Sequence, residues 1–128
     1  MDLGCIYHRS QDNMCYAKNE AELVIQIQTG KDVERVFLHY EDPMESEEFG
    51  GPWRWKGHPE EMSGGKELEN HKWWTLSVFP PYKRCAYFFE LRSADETYFY
   101  LEDGFYTKDT LVLENKRLSY FSFPWMNP

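Results

Sequence analysis

Trp73-Trp74-Thr75-Leu76-Ser77-Val78-Phe79 and Arg84-Cys85-Ala86-Tyr87-Phe88-Phe89-Glu90-Leu91 are two runs of aromatic and β-branched residues separated by Pro80-Pro81-Tyr82-Lys83. Each run alternates with period two, which predicts a β-hairpin whose strands bury one face. Trp74, Leu76 and Val78 share one side of the first run, with Trp73, Thr75, Ser77 and Phe79 on the other. In the second run Cys85, Tyr87, Phe89 and Leu91 lie opposite Arg84, Ala86, Phe88, Glu90 and Arg92. This pair is read as the centre of an all-β domain.

Working outward, Leu23, Ile25 and Ile27 alternate with Gln26 and Gln28, and Val36, Leu38 and Tyr40 alternate with Phe37 and His39. Both are half-buried strands. Short strands are also expected at Leu3–His8, Met14–Ala17 and Thr97–Leu101, with turns at Thr29–Asp32, Ser93–Glu96 and Asp103-Gly104. Between Glu41 and Asn70 acidic residues crowd together and Gly50-Gly51-Pro52 and Gly64-Gly65 interrupt the pattern. A long excursion is expected there, around one short strand at Trp53–Lys56. Thr110–Asn115 reads as a helical turn or a loop. The total is about seven or eight antiparallel strands, which favours an immunoglobulin-like β-sandwich. The Cys…Trp…Cys pattern of antibody domains is missing, and a small antiparallel barrel is the alternative.

A chain of 128 residues suits one domain. Its net charge of -8 and lack of a basic run argue against nucleic acid as a partner. Cys5, Cys15 and Cys85 form no close pair and read as reduced thiols of a reducing compartment. No secretory signal and no bilayer-length apolar run is visible. A cytoplasmic protein with no membrane partner is therefore expected.

Catalytic patterns are missing: there is no Gly-x-Ser-x-Gly, no phosphate-cradling Gly-rich loop, no His-Glu-x-x-His and no Cys-x-x-Cys. His8, His39, His58 and His71 stand at unrelated spacings, so they read as solvated or hydrogen-bonded rather than as zinc ligands. With 22 acidic residues, adjacent carboxylates such as Glu47-Glu48 and Glu60-Glu61 arise by number alone. Asp42, Glu45, Glu47 and Glu48 lack the spacing of a calcium loop. No cofactor and no catalysis are expected of this chain alone. The functional signal lies in aromatics outside a core pattern, because flat rings offer a rigid face to the apolar C–H faces of sugars. Trp53 and Trp55 point the same way if extended. Of Trp73 and Trp74, Trp74 is expected inside with Leu76 and Val78, and Trp73 exposed.

The order of Ile6-Tyr7-His8, Tyr40-Glu41-Asp42-Pro43, Trp53-Arg54-Trp55, Trp73-Trp74, Arg84–Leu91, Tyr98-Phe99-Tyr100, Glu102-Asp103-Gly104-Phe105 and Phe121-Ser122-Phe123-Pro124-Trp125 resembles a known family. It is that of the N-terminal domain of cyclomaltodextrinases, neopullulanases and maltogenic amylases, a family 34 carbohydrate-binding module. The resemblance implies an immunoglobulin-like sandwich over 1–122, with 123–128 starting a linker to a (β/α)8 barrel of glycoside hydrolase family 13 absent from this chain. It implies that the parent enzyme cleaves α-1,4-glucosidic bonds with carboxylates of that barrel, where calcium also belongs if it is used. It further implies a homodimer in which this domain packs against the partner's barrel and narrows the cleft for cyclodextrins and short maltooligosaccharides. Members often carry a sugar-contacting aromatic after the Asp-Pro turn; here Met44 holds that place, with Phe49 the next aromatic. The residues expected to bind sugar or shape the cleft are Met44, Phe49, Trp53, Trp55 and Trp73. Two other functions fit the residues: a freestanding glycan-binding module, and an immunoglobulin-like protein-interaction domain.

Overall fold

The computed structural model describes residues 1–41, 58–80, 84–108 and 121–124. Among them are ten strands: β1 (Cys15–Ala17), β2 (Leu23–Gly30), β3 (Arg35–Glu41), β4 (His58–Glu61), β5 (Ser63–Leu68), β6 (His71–Val78), β7 (Arg84–Arg92), β8 (Thr97–Leu101), β9 (Gly104–Tyr106) and β10 (Phe121–Pro124). They form two antiparallel sheets. One has four strands in the order β1-β2-β6-β5; the other has six, in the order β4-β3-β7-β8-β9, with β10 joined to β7. β7 is the hub of the second sheet. β3 runs along one edge of it, while β8 pairs with its Phe89–Arg92 half and β10 with its Arg84–Tyr87 half. The pairing of β10 continues through Phe123 and Pro124, the first two residues of the stretch resembling a linker.

The alternation holds residue by residue. Leu23, Ile25 and Ile27 of β2, Val36 and Leu38 of β3, Trp74 and Val78 of β6, and Cys85, Tyr87, Phe89 and Leu91 of β7 are all buried in one core. Leu76 packs against it half-buried, and Phe79, past the end of β6, is 63% exposed. Each such buried aliphatic or Phe side chain contributes on the order of 1.5–3 kcal/mol over leaving it in water. Cys15 and Cys85 are buried thiols outside any disulfide, and Cys5 is a half-buried one.

Several sequence expectations are corrected. The central pair is not a hairpin: β6 belongs to the four-stranded sheet and β7 to the six-stranded one. Alternation reports which face is buried, and two strands facing one core from opposite sheets alternate just as two paired strands do. Pro80 supplies no N–H, which disfavours continuing a ladder into a tight turn. The outward face of β7 is also buried, at Ala86, Phe88 and Glu90, because Phe88 joins Phe99 and Leu101 in a second small cluster. Leu3–His8 is not a strand. Asp2 accepts from the Gly4 N–H at 3.1 Å and caps a 3₁₀ turn at Leu3–Cys5, leaving only a bridge between Tyr7 and Gln28. The excursion after Glu41 does not extend to Asn70, since β4 and β5 occupy His58–Leu68. The expected strand at Trp53–Lys56 and the turn or loop at Thr110–Asn115 lie outside the described residues.

Candidate functional site: the outer face of the four-stranded sheet

Of the five residues singled out for sugar contact, Trp73 is described; Met44, Phe49, Trp53 and Trp55 lie outside the described residues. The stretch holding those four leaves from β3 and returns at β4, both in the six-stranded sheet. Trp73 is on β6 of the other sheet.

Around Trp73 the register defines a face. Residues directly opposite in an antiparallel pair share a side. Gln28 of β2 lies opposite Trp73, Gln26 opposite Thr75 and Val24 opposite Ser77. Tyr7 bridges to Gln28 from the free edge of β2, and Tyr16 pairs with Val24. On the far side Lys66 of β5 stands opposite Trp73 and Ser63 opposite Thr75, with a register shift between Gly64 and Lys66. Gly64 makes that shift feasible. Its φ is +129°, and a Cβ there would meet the Trp73 carbonyl oxygen at 2.5 Å. Tyr7 is 45% and Tyr16 39% exposed, while Gln26, Gln28, Trp73 and Thr75 are half-buried. Nothing in the sequence marks Tyr7 and Gln28 as neighbours of Trp73 until the β2–β6 pairing is known.

Two other places gather polar groups. His8 is buried beside an open hollow of about 300 Å³ lined also by Arg9, Gln11, Tyr100, Glu102 and Phe121. Its Nδ1 donates to the Gln26 carbonyl oxygen at 2.6 Å, so its Nε2 accepts from the Tyr87 hydroxyl at 2.7 Å. Burial pushes its pKa down to about 4. Both nitrogens are engaged and the ring is neutral, so His8 ties the N-terminal segment to both sheets rather than offering a base. On the outer side of the six-stranded sheet, the buried Glu90 receives His39 Nε2 at 2.8 Å and Arg92 Nε at 2.5 Å. The His39 ring stacks on Phe88 at 4.6 Å and 11°. Burial holds the His39 pKa below its usual value, against the opposing pull of Glu90. His39 and Arg92 thus satisfy both carboxylate oxygens of Glu90. Among the described residues no cluster of three or more His, Cys, Asp or Glu is placed to hold a metal, and no helix is long and apolar enough to cross a membrane.

Two antiparallel sheets closed on one core define an immunoglobulin-like β-sandwich. The chain belongs to the family described as alpha amylase, N-terminal ig-like domain, whose pattern it matches over residues 1–127. It is 36% identical over 123 residues to a cyclomaltodextrinase of Geobacillus thermopakistaniensis, covering 95% of this chain and 20% of that protein. It is 35% identical to a maltogenic alpha-amylase of Bacillus acidopullulyticus, with the same coverage. An intracellular maltogenic amylase of Bacillus subtilis is 25% identical over 128 residues, which are 21% of its length. A solved cyclomaltodextrinase superposes on all of this chain with a TM-score of 0.81 at 27% identity, using 20% of its own length. The chain thus spans about a fifth of the length of the curated relatives it matches.

Proposed function

We propose that this chain is the non-catalytic N-terminal accessory domain of an α-glucan hydrolase of the cyclomaltodextrinase, neopullulanase or maltogenic amylase type. In the full-length protein it contributes to a homodimer and shapes the substrate cleft for cyclodextrins and maltooligosaccharides. The observation that carries this reading is the asymmetry of coverage. Nearly the whole chain aligns with the relatives, and four-fifths of each relative lies beyond it. Cleavage of α-1,4-glucosidic bonds then falls to a barrel that continues the chain, and any calcium is bound there. Met44, Phe49, Trp53, Trp55 and Trp73 are the residues assigned to sugar contact or cleft shaping. The protein works in the cytoplasm, in keeping with a relative named as intracellular, without nucleic acid or membrane as partner.

The downstream reading frame tests the proposal. It should continue past Pro128 into a (β/α)8 barrel with glycoside hydrolase carboxylates. A stop codon near Pro128 would leave a freestanding module and contradict it.

A further inference from the structure

Among the described residues three large hydrophobic side chains are exposed: Tyr7 at 45%, Tyr16 at 39% and Phe79 at 63%. Phe79 is the most exposed, and its place distinguishes it from a scattered surface ring. It follows Val78, the last residue of β6, and residues 80–83 separate it from Arg84, the first of β7. Its Cα therefore lies within ~18 Å of the Arg84 Cα even at full stretch. Arg84 pairs with Pro124, the last residue of β10, and paired strands are ~5 Å apart. The chain thus leaves the six-stranded sheet at the same end of the sandwich where Phe79 stands on the four-stranded one. Tyr16 belongs to that end too, since β1 pairs with the Leu23–Ile25 start of β2 and Leu23 pairs with Val78.

The exit is rigid. Phe121 is buried in the main core and stacks on Tyr87 at 5.6 Å and 18°, and β10 stays paired with β7 through Pro124. Beside Phe79 the β1–β2 loop is also locked. Asn19 Oδ1 accepts from the Ala21 and Glu22 N–H groups at 2.9 Å each, and the Lys18 N–H donates to the Glu22 carbonyl oxygen at 2.9 Å.

We infer that the Phe79–Tyr16 end of the sandwich is the seat of the domain that follows in the same chain, with the Phe79 ring entering an apolar pocket of that domain. The inference rests on the accessory-domain reading, in which a larger domain continues the chain. It adds a contact within one subunit to the contact between subunits proposed above. Size decides between a tethered occupant and a free one. Two aromatic rings are far less than the ~1,600 Å² that a stable complex of free proteins buries. A domain held by a short connection at a fixed exit is already at an effective concentration of the order of millimolar, so a small apolar contact suffices to hold it. Contacts between domains of one chain are correspondingly modest and partly polar. Exposed Lys18, Asn19 and Glu20 supply a polar rim beside the ring, and the locked loop holds that rim in place before docking.

Calorimetry and limited proteolysis of the full-length protein test the seat. Unsubstituted, the protein should unfold in one transition, because the sandwich and the following domain support each other. Phe79→Asp should split that transition in two and speed proteolytic cutting of the junction after Pro124 at least tenfold. Phe79→Ser should act the same way more mildly, and it carries the test if the aspartate blocks folding. Tyr7→Asp, at the opposite end of the same sheet, should do neither. Two independent transitions in the unsubstituted protein overturn the inference, as do Phe79 variants that unfold and are cut like the parent. Splitting by Tyr7→Asp as well would mark a general loss of stability and overturns it too. Loss of the dimer in Phe79→Asp with the single transition kept would assign the ring to a second copy instead. A reading frame that stops near Pro128 removes the accessory-domain reading itself before any of these measurements, so the two failures are told apart.

Discussion

The Trp74 indole donates to Thr29 Oγ1 at 2.9 Å from the neighbouring strand, closing a buried polar contact between β6 and β2. Trp74 is 6% exposed and faces Ile27 across the pair. Trp74→Ala removes this bond and opens a cavity, at a cost of about 3–5 kcal/mol. Trp73→Ala, one residue away at a half-buried position on the outer face, should cost only about 1 kcal/mol, the centre of the range for point substitutions. Urea unfolding of the two variants side by side measures the difference.

His8 sets a pH dependence. Its folded pKa is about 4 and its ordinary value 6.5, so between these values the unfolded chain binds a proton that the folded one does not. Stability therefore falls as pH drops from 6.5 towards 4, by up to about 1.4 kcal/mol per pH unit from this group. His39, held below its usual pKa by burial, adds a contribution of the same sign. His8→Gln should flatten the slope of unfolding free energy between pH 6.5 and 4. An unchanged slope would mean that His8 is not held neutral.

Gly64 and Gly104 both sit at positive φ, +129° and +143°, yet they differ in surroundings. A Cβ on Gly104 meets nothing within 4 Å, whereas one on Gly64 lies 2.5 Å from the Trp73 carbonyl oxygen. Gly64→Ala should thus be the more damaging, by roughly 1–3 kcal/mol of strain. The denaturation midpoints of the two alanine variants give the order.

Arg35 grips Glu61 through two bonds, Nε to Oε2 at 2.9 Å and a terminal nitrogen to Oε1 at 3.0 Å. The geometry is a good fork, but the side chains are 52% and 47% exposed. Water and salt screen such a pair. Glu61→Gln should lower the melting temperature slightly at low salt, and the difference should vanish in concentrated salt.

What the sequence showed, and where it fell short, follows from what alternation encodes. β2, β3, β6 and β7 each bury one side chain in two towards the core, so their burial and the inward placement of Trp74 were legible before any pairing was known. Partner choice was not, because β6 and β7 face the same core from different sheets. β4 and β5 were hidden for another reason. Both are edge strands, and Pro59, Glu60, Glu61, Lys66 and Glu67 give them the charged, interrupted look that protects sheet edges. Trp73 stands out in the sequence as an aromatic on the outward side of its strand, but Tyr7 and Gln28 do not stand out as its neighbours. Their proximity to it is a property of the register.

The proposed accessory role, dimer contact and cleft shaping in an α-glucan hydrolase, is put to the test by deleting residues 1–122 from the full-length protein and measuring the ratio of kcat/KM for β-cyclodextrin to that for soluble starch. The ratio should fall at least tenfold as the dimer gives way to a monomer. An enzyme that keeps both its ratio and its dimer without these residues would contradict it.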